Sequence, residues 1–335
     1  MLQIAEYLLA AALAFVVVAL LVNLVALTAR SKKRGSVRTA VPALVSVGAG
    51  ADVASAGDER AAEDARAAED ARAATDSDSA ARDSSATPDC GQPASARKRF
   101  PASGITGFAA AFAVIALALL SAYLGVRMAI TGHGPFANQH EFAVSFCWGI
   151  LVAYVFALWR FKIRVLSVVV LPVVGCLLVY AMRLDAGVAP LVPALQNNLL
   201  LTLHVGFAIL SYGAACISFA AAVMYLIYPR LKLKTSRERF DQVGYQAAMI
   251  TFPLMTAMLG CGALWAETAW GSYWSWDPKE TAALVTWLVY AGYLHARVAR
   301  GWRGSRSAWL LVIGFAAVLF AYFGNHFFGG LHSYA

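Results

Sequence analysis

Eight long apolar runs decide what this chain can fold into. They cover residues 4–28, 106–130, 142–159, 163–182, 199–228, 244–265, 281–299 and 307–328. Each reaches or approaches the ~20 residues that a helix needs to cross a bilayer. Inside lipid the backbone N–H and C=O groups must be satisfied within the segment, so every run is expected to be helical. The chain is 60% hydrophobic and 14% charged, whereas soluble domains run at about 45–50% and about 25%. These properties predict an all-α, polytopic integral membrane protein with about eight transmembrane helices.

The charges give that bundle a direction. Lys and Arg collect on cytoplasmic loops of membrane proteins. Here Lys32, Lys33 and Arg34 follow the first run, and Arg97, Lys98 and Arg99 precede the second. Arg160, Lys162 and Arg164, then Arg230, Lys232, Lys234, Arg237 and Arg239, then Arg297, Arg300, Arg303 and Arg306 mark every second loop after that. Both termini and the loop after residue 265 are therefore expected outside. Arg127 and Arg183 run against the pattern. The net charge of +8 does not point to nucleic acid, because no basic stretch is interleaved with exposed aromatics.

The first run is too long for the apolar region of a signal peptide and has no basic leader, so residues 1–29 read as a retained N-terminal transmembrane helix. Residues 30–104 are rich in Ala, Asp, Glu, Arg and Ser, and residues 61–66 (AAEDAR) repeat at once as 67–72. That composition offers no face to bury and predicts a disordered, charged cytoplasmic linker. Residues 105–335 are expected to form a seven-helix domain.

One segment of that domain is unlike an ordinary loop. Residues 265–280, WAETAWGSYWSWDPKE, hold four of the nine tryptophans and Tyr273, then end in Asp277-Pro278-Lys279-Glu280. Trp and Tyr rings at a membrane edge often form an interfacial belt. Belts are scattered over several helix ends, however, and this cluster is compact, which favours a platform for a flat ligand. Asp277 and Pro278 suit the N-cap and first turn of the next helix. Lys279 suits either an anionic ligand or a snorkelling position at the interface.

Histidines and cysteines narrow the chemistry. Cys90, Cys147, Cys176, Cys216 and Cys261 have neither metal nor redox spacing and read as small apolar packing residues. No Cys-x-x-Cys-His occurs, so the chain carries no covalent c-type haem of its own. His204 and His332 fall at the outer ends of two different runs, on the side of the Trp-rich segment. Two neutral imidazoles can occupy opposite axial positions of a haem iron, with Trp and Tyr faces under the porphyrin. His295 lies within a run, where an ionisable side chain is functional by default. A water- or backbone-bonded interfacial histidine is the plain alternative for each.

The stretch Trp270-Gly-Ser-Tyr-Trp-Ser-Trp-Asp-Pro-Lys-Glu-Thr281 resembles the WWD signature of haem-handling proteins, above all the CcsA (ResC, also labelled CcsB) family of cytochrome c synthase subunits. Leu203-His204-Val205, Tyr293-Leu294-His295-Ala296-Arg297 and Gly330-Leu331-His332-Ser333-Tyr334-Ala335 resemble the family's three ordered histidine segments. Residues 135–148, with Asn138 and Glu141, are also similar. The likeness covers residues 105–335 and leaves the first run and the linker aside.

The resemblance implies a subunit of a holocytochrome c synthase (haem lyase) complex that takes haem b as substrate. His204 and His332 would be the axial pair of an external site capped by Trp270, Tyr273, Trp274, Trp276 and Asp277. His295 would be one ligand to haem crossing the membrane, its counterpart coming from a ResB-type membrane subunit. Apocytochrome c and thiol-reducing thioredoxin-like proteins would be further partners. The implied location is the bacterial plasma membrane, or the thylakoid membrane if plastid. His133, His140 and His326 receive no role from it. Rival readings are a CcmC-type handler that loads a haem chaperone, a non-haem transporter, and an assembly subunit whose Trp segment only docks a partner. A transporter predicts paired broken helices and internal repeats, and neither is evident.

Overall fold

The computed structural model describes residues 2–38, 105–188, 191–196, 198–230, 235–324 and 327–332. Among them every regular element is helical. Eight α-helices follow in order: α1 Leu2–Arg38, α2 Ile105–Thr131, α3 Gln139–Phe161, α4 Ser167–Ala181, α5 Asn198–Ile227, α6 Arg237–Trp270, α7 Pro278–Ala299 and α8 Ser305–Phe323. Short 3-10 turns at Arg164–Leu166, Pro193–Gln196 and Tyr228–Arg230 join α3 to α4, enter α5 and leave it. Met1–Gly35 and Phe100–Ala335 form one compact unit, and Ser36–Arg99 is assigned to a second. The expected linker falls outside the described residues, except that α1 continues to Arg38, beyond the expected boundary at 29.

Seven of the helices are long and apolar enough to cross a membrane. The remaining expected span, α7, has 22 residues and so a length of about 33 Å. Lys279, Glu280, His295 and Arg297 make it less apolar. It packs beside α6, where Trp287 stacks on Phe252 at 5.1 Å and donates its indole N–H to Thr256 Oγ1 at 2.8 Å.

Burial shows which helix is central. In α5, 78% of the apolar window is buried, against 28% in α1. On α1 the buried side chains Ala5, Leu9, Ala12, Val16 and Ala19 recur every three or four residues, a single stripe on an otherwise exposed helix. The α3–α5 crossing brings backbone onto backbone: a Cβ on Gly213 would collide with the Gly149 carbonyl oxygen. Small residues allow such close approach where the hydrophobic effect cannot drive helices together.

Arg127, the charge that broke the loop pattern, has a structural partner. It pairs with Glu141 at 2.7 Å, both 1% exposed, and its Nη2 donates to Gly187 O at 2.9 Å. A charge so paired fixes the ends of α2 and α3 and need not reach solvent. His140 is equally structural: its Nδ1–H donates to Ala181 O at 2.8 Å, and Nε2 accepts from Tyr123 Oη at 2.6 Å.

The two ends of the bundle differ. The described basic loop residues gather at the C-terminal ends of α3, α5 and α7 and the N-terminal ends of α6 and α8. There Arg297 holds Asp241 with two bonds of 2.6 and 2.8 Å. The Trp-rich segment lies at the opposite end.

Candidate functional site

At that opposite end the first turns of α3, α5 and α7 and the last turns of α6 and α8 surround a cavity of about 190 Å³. Its walls are mostly apolar, with Phe142, Leu201, Val205, Tyr212, Met258 and Tyr322 among them. His204, Trp265, Tyr273, Trp274, Lys279 and His332 bring aromatic and polar groups to the same space.

His204 is held by α6. Its Nδ1 lies 2.9 Å from the Met258 carbonyl oxygen. A carbonyl only accepts, so Nδ1 carries the proton and Nε2 keeps its lone pair. The ring fits because position 262 is glycine: a Cβ there would stand 2.6 Å from Nδ1 and 2.8 Å from Cε1. His332 arrives from the chain after α8. Its Nδ1 lies 3.0 Å from Asp277 Oδ1, so the carboxylate fixes the same tautomer. Burial, helped by the Lys279 charge, pushes this imidazole down to about 3. The ring is therefore neutral at physiological pH. A histidine whose second nitrogen is tied to a carbonyl or a carboxylate is the usual form of a metal-ligating imidazole.

Trp265 joins the two histidines. Its ring stacks on His204 at 6.0 Å with 17° between planes, and lies 5.7 Å from the His332 ring. It is 2% exposed and donates its indole N–H to Ala194 O at 3.0 Å. Trp270 packs edge-on against both Trp265 and His332, each at 4.8 Å.

The turn between α6 and α7 is tightly braced. Gly271 ends α6 in the left-handed conformation, φ 73°, and its N–H closes on Glu267 O at 2.8 Å. Asp277 caps α7 by accepting from Lys279 N at 2.9 Å, with Pro278 in the first turn, as the sequence suggested. Glu280 Oε2 reaches back to Ser275 N at 2.9 Å and Asp277 N at 3.3 Å. Trp276 takes a left-handed backbone, φ 60°. That conformation is a genuine outlier for a bulky side chain, and strain of this kind is concentrated at functional sites.

The expected site residues thus divide. His204, His332, Tyr273 and Trp274 line the cavity, Asp277 stands behind His332, and Trp270 packs against it. Trp276 does not line the cavity; its ring is 70% exposed and meets Trp274 edge-on at 5.8 Å. His295 is exposed on α7, about 25 Å along that helix from Pro278. His133 bonds its neighbour Gly134 O through Nδ1 at 2.8 Å and does not line the cavity, and His326 lies outside the described residues. Sequence reasoning left Trp265 out of the site and gave Lys279 two readings. The one available signal for Trp265 was its place at the start of the aromatic cluster.

Two imidazoles on separate elements, each with its lone pair on Nε2, suit a metal whose remaining ligands come from elsewhere. Among the described residues no group of three or more His, Cys, Asp or Glu side chains gathers as a bare-ion site.

The sequence matches known proteins over this region. The family model described as cytochrome C assembly protein covers residues 137–332, which takes in the aromatic turn, His204 and His332. The cytochrome c biogenesis protein CcsA of Guillardia theta is 34% identical over 251 residues, covering 66% of this chain and 83% of that protein.

The chain belongs to the CcsA family of cytochrome c biogenesis proteins.

Other CcsA proteins agree. That of Microcystis aeruginosa is 34% identical over 293 residues, 70% of this chain and 88% of its own length. That of Chlamydomonas reinhardtii is 37% identical over 230 residues, 64% and 65% of the two chains. Among solved structures the cytochrome c haem lyase CcmF has the same fold, with a TM-score of 0.55 at 18% identity. The alignment covers 96% of this chain and 46% of CcmF, so the chain spans about half of that protein's length. As a CcsA-family member the chain is a multi-pass membrane protein of cytochrome c biogenesis.

Proposed function

We propose that this chain receives haem b as substrate in the cavity between α5, α6 and α7, with His204 and His332 as axial ligands. The cavity end faces outward and the basic end faces the cytoplasm of a bacterial plasma membrane. A ResB-type subunit completes the complex, and apocytochrome c docks over the exposed Tyr273 and Trp276. Haem enters past His295, which binds it jointly with the partner.

Attachment then requires little from the protein beyond placement. Each thiol of the Cys-x-x-Cys-His segment adds across one vinyl group of the haem, so its S–H bond and the C=C π bond give one C–S and one C–H bond. No oxidant is consumed. The chain's residues hold the substrate edge in place and exclude water, and haem supplies the reacting groups. The fixed Nδ1–H bonds of both histidines place the ring lone pair on Nε2, the nitrogen that would ligate iron.

The observation that carries this reading is the meeting of His204 and His332 on the single indole of Trp265, each with Nδ1 already committed. The test is the haem content of the complex purified with its ResB-type partner. His204→Ala and His332→Ala are each expected to lose most haem and most cytochrome c output. Normal spectra and normal output in both variants would sink the proposal.

A further inference from the structure

Two polar groups in the cavity wall make no hydrogen bond or ion pair with the described residues through their side-chain nitrogens. Trp274 Nε1 is buried and has no hydrogen-bond partner. Lys279 lines the same cavity and makes no ion pair among the described residues. A buried donor left unsatisfied, as the Trp274 indole N–H is, destabilises the fold. Neither carboxylate on that turn bonds either group: the Asp277 Oδ2 is buried without a partner, and the oxygens that do accept are taken by others. Asp277 takes the Lys279 backbone N–H and the His332 ring. Glu280 takes Ser275 N, Ser275 Oγ and Asp277 N. The Lys279 ammonium does not snorkel away from the site. It stays over the Phe142 ring at 5.4 Å, an arrangement that steadies a cation without neutralising it.

We infer that Lys279 and the Trp274 indole N–H form an anion-holding end of this otherwise apolar cavity, which takes a carboxylate of the bound substrate. This deepens the haem reading and rests on it, because haem is a flat apolar ring with two propionates on one edge. Gripping that edge would leave the opposite, vinyl-bearing edge free to meet thiols, so the same contact sets orientation as well as affinity. Charge-assisted bonds of this kind are about twice as strong as neutral ones.

The test compares haem b with its dimethyl ester, which keeps the ring and iron and removes both anions. Each is titrated into the detergent-solubilised full-length chain in complex with its partner, and binding is followed by Soret absorbance. The wild type is expected to favour the free acid by roughly ten-fold or more, the effect of one charge-assisted contact. Lys279→Met and Trp274→Phe, which keeps an aromatic ring, should each reduce that preference and leave ester affinity unchanged. Lys279→Arg should restore it. Equal binding of acid and ester by the wild type, or an unchanged ratio in both variants, overturns this inference and leaves the haem site standing. A wild type that binds neither form overturns both.

Discussion

The Asp277 carboxylate accepts the His332 Nδ1–H at 3.0 Å, with the two side chains 1% and 10% exposed. One acid thereby caps α7 and seats the tail after α8. Its carboxyl lies below the ordinary range: burial alone would raise it, but the Lys279 N–H and the His332 ring outweigh that.

This pair makes the tail sensitive to acid. The His332 value falls from 6.5 in the free side chain to about 3 in the folded one. Between those values the unfolded tail binds more protons than the seated one, so the seat loses stability as pH falls. It is fully present above about pH 6.5 and is lost progressively towards pH 3. Hydrogen exchange of the C-terminal peptide should therefore speed up on acidification through that window. His332→Ala should remove the pH dependence.

Asp277→Asn separates the two duties of this acid. Asn is as good an N-cap as Asp, so thermal stability should change by no more than about 1 kcal/mol. The charge that orients and polarises His332 is gone, and losing such a partner costs about 10–100-fold in metal affinity. Haem titration of the purified complex should show that loss beside a nearly unchanged melting temperature.

Gly262→Ala tests the seat of His204 without touching the histidine. The new methyl would stand 2.6 Å from Nδ1, so the ring must shift and its bond to Met258 O must break. Alanine favours helix over glycine by about 1 kcal/mol, so α6 should persist by circular dichroism. Haem content should fall towards that of His204→Ala.

Much of this was legible because lipid leaves few choices. The apolar runs had to be helices, and Asp277-Pro278 suited a helix start, with the acid at the N-cap and the proline in the first turn. The two outer histidines could be set at one end by counting charges. Other features depended on three-dimensional neighbours. Arg127 looked like an exception until Glu141 appeared beside it. Trp265 reads as the end of an apolar run, and only the arrival of α5 and the tail against it makes it a bridge. Trp276 carries the same signature as Trp274, yet a left-handed backbone turns its ring out of the cavity. The freedom of Lys279 could not be read from a sequence that places acids at positions 277 and 280.

His295 separates membrane passage from the cavity. It is exposed on α7 and does not line the cavity. His295→Ala should alter stability by less than about 0.5 kcal/mol, as surface changes do. Haem added to the purified complex should bind the cavity as before, while cytochrome c maturation in cells falls. Full maturation in the variant would remove His295 from the pathway.

The most direct test of the central claim is imidazole rescue of His332→Gly, read by the Soret spectrum of the purified complex. Ligation by His332 predicts that the variant loses the six-coordinate, low-spin bands and that added imidazole restores them. A His332→Gly spectrum identical to wild type, with no response to imidazole, would contradict it.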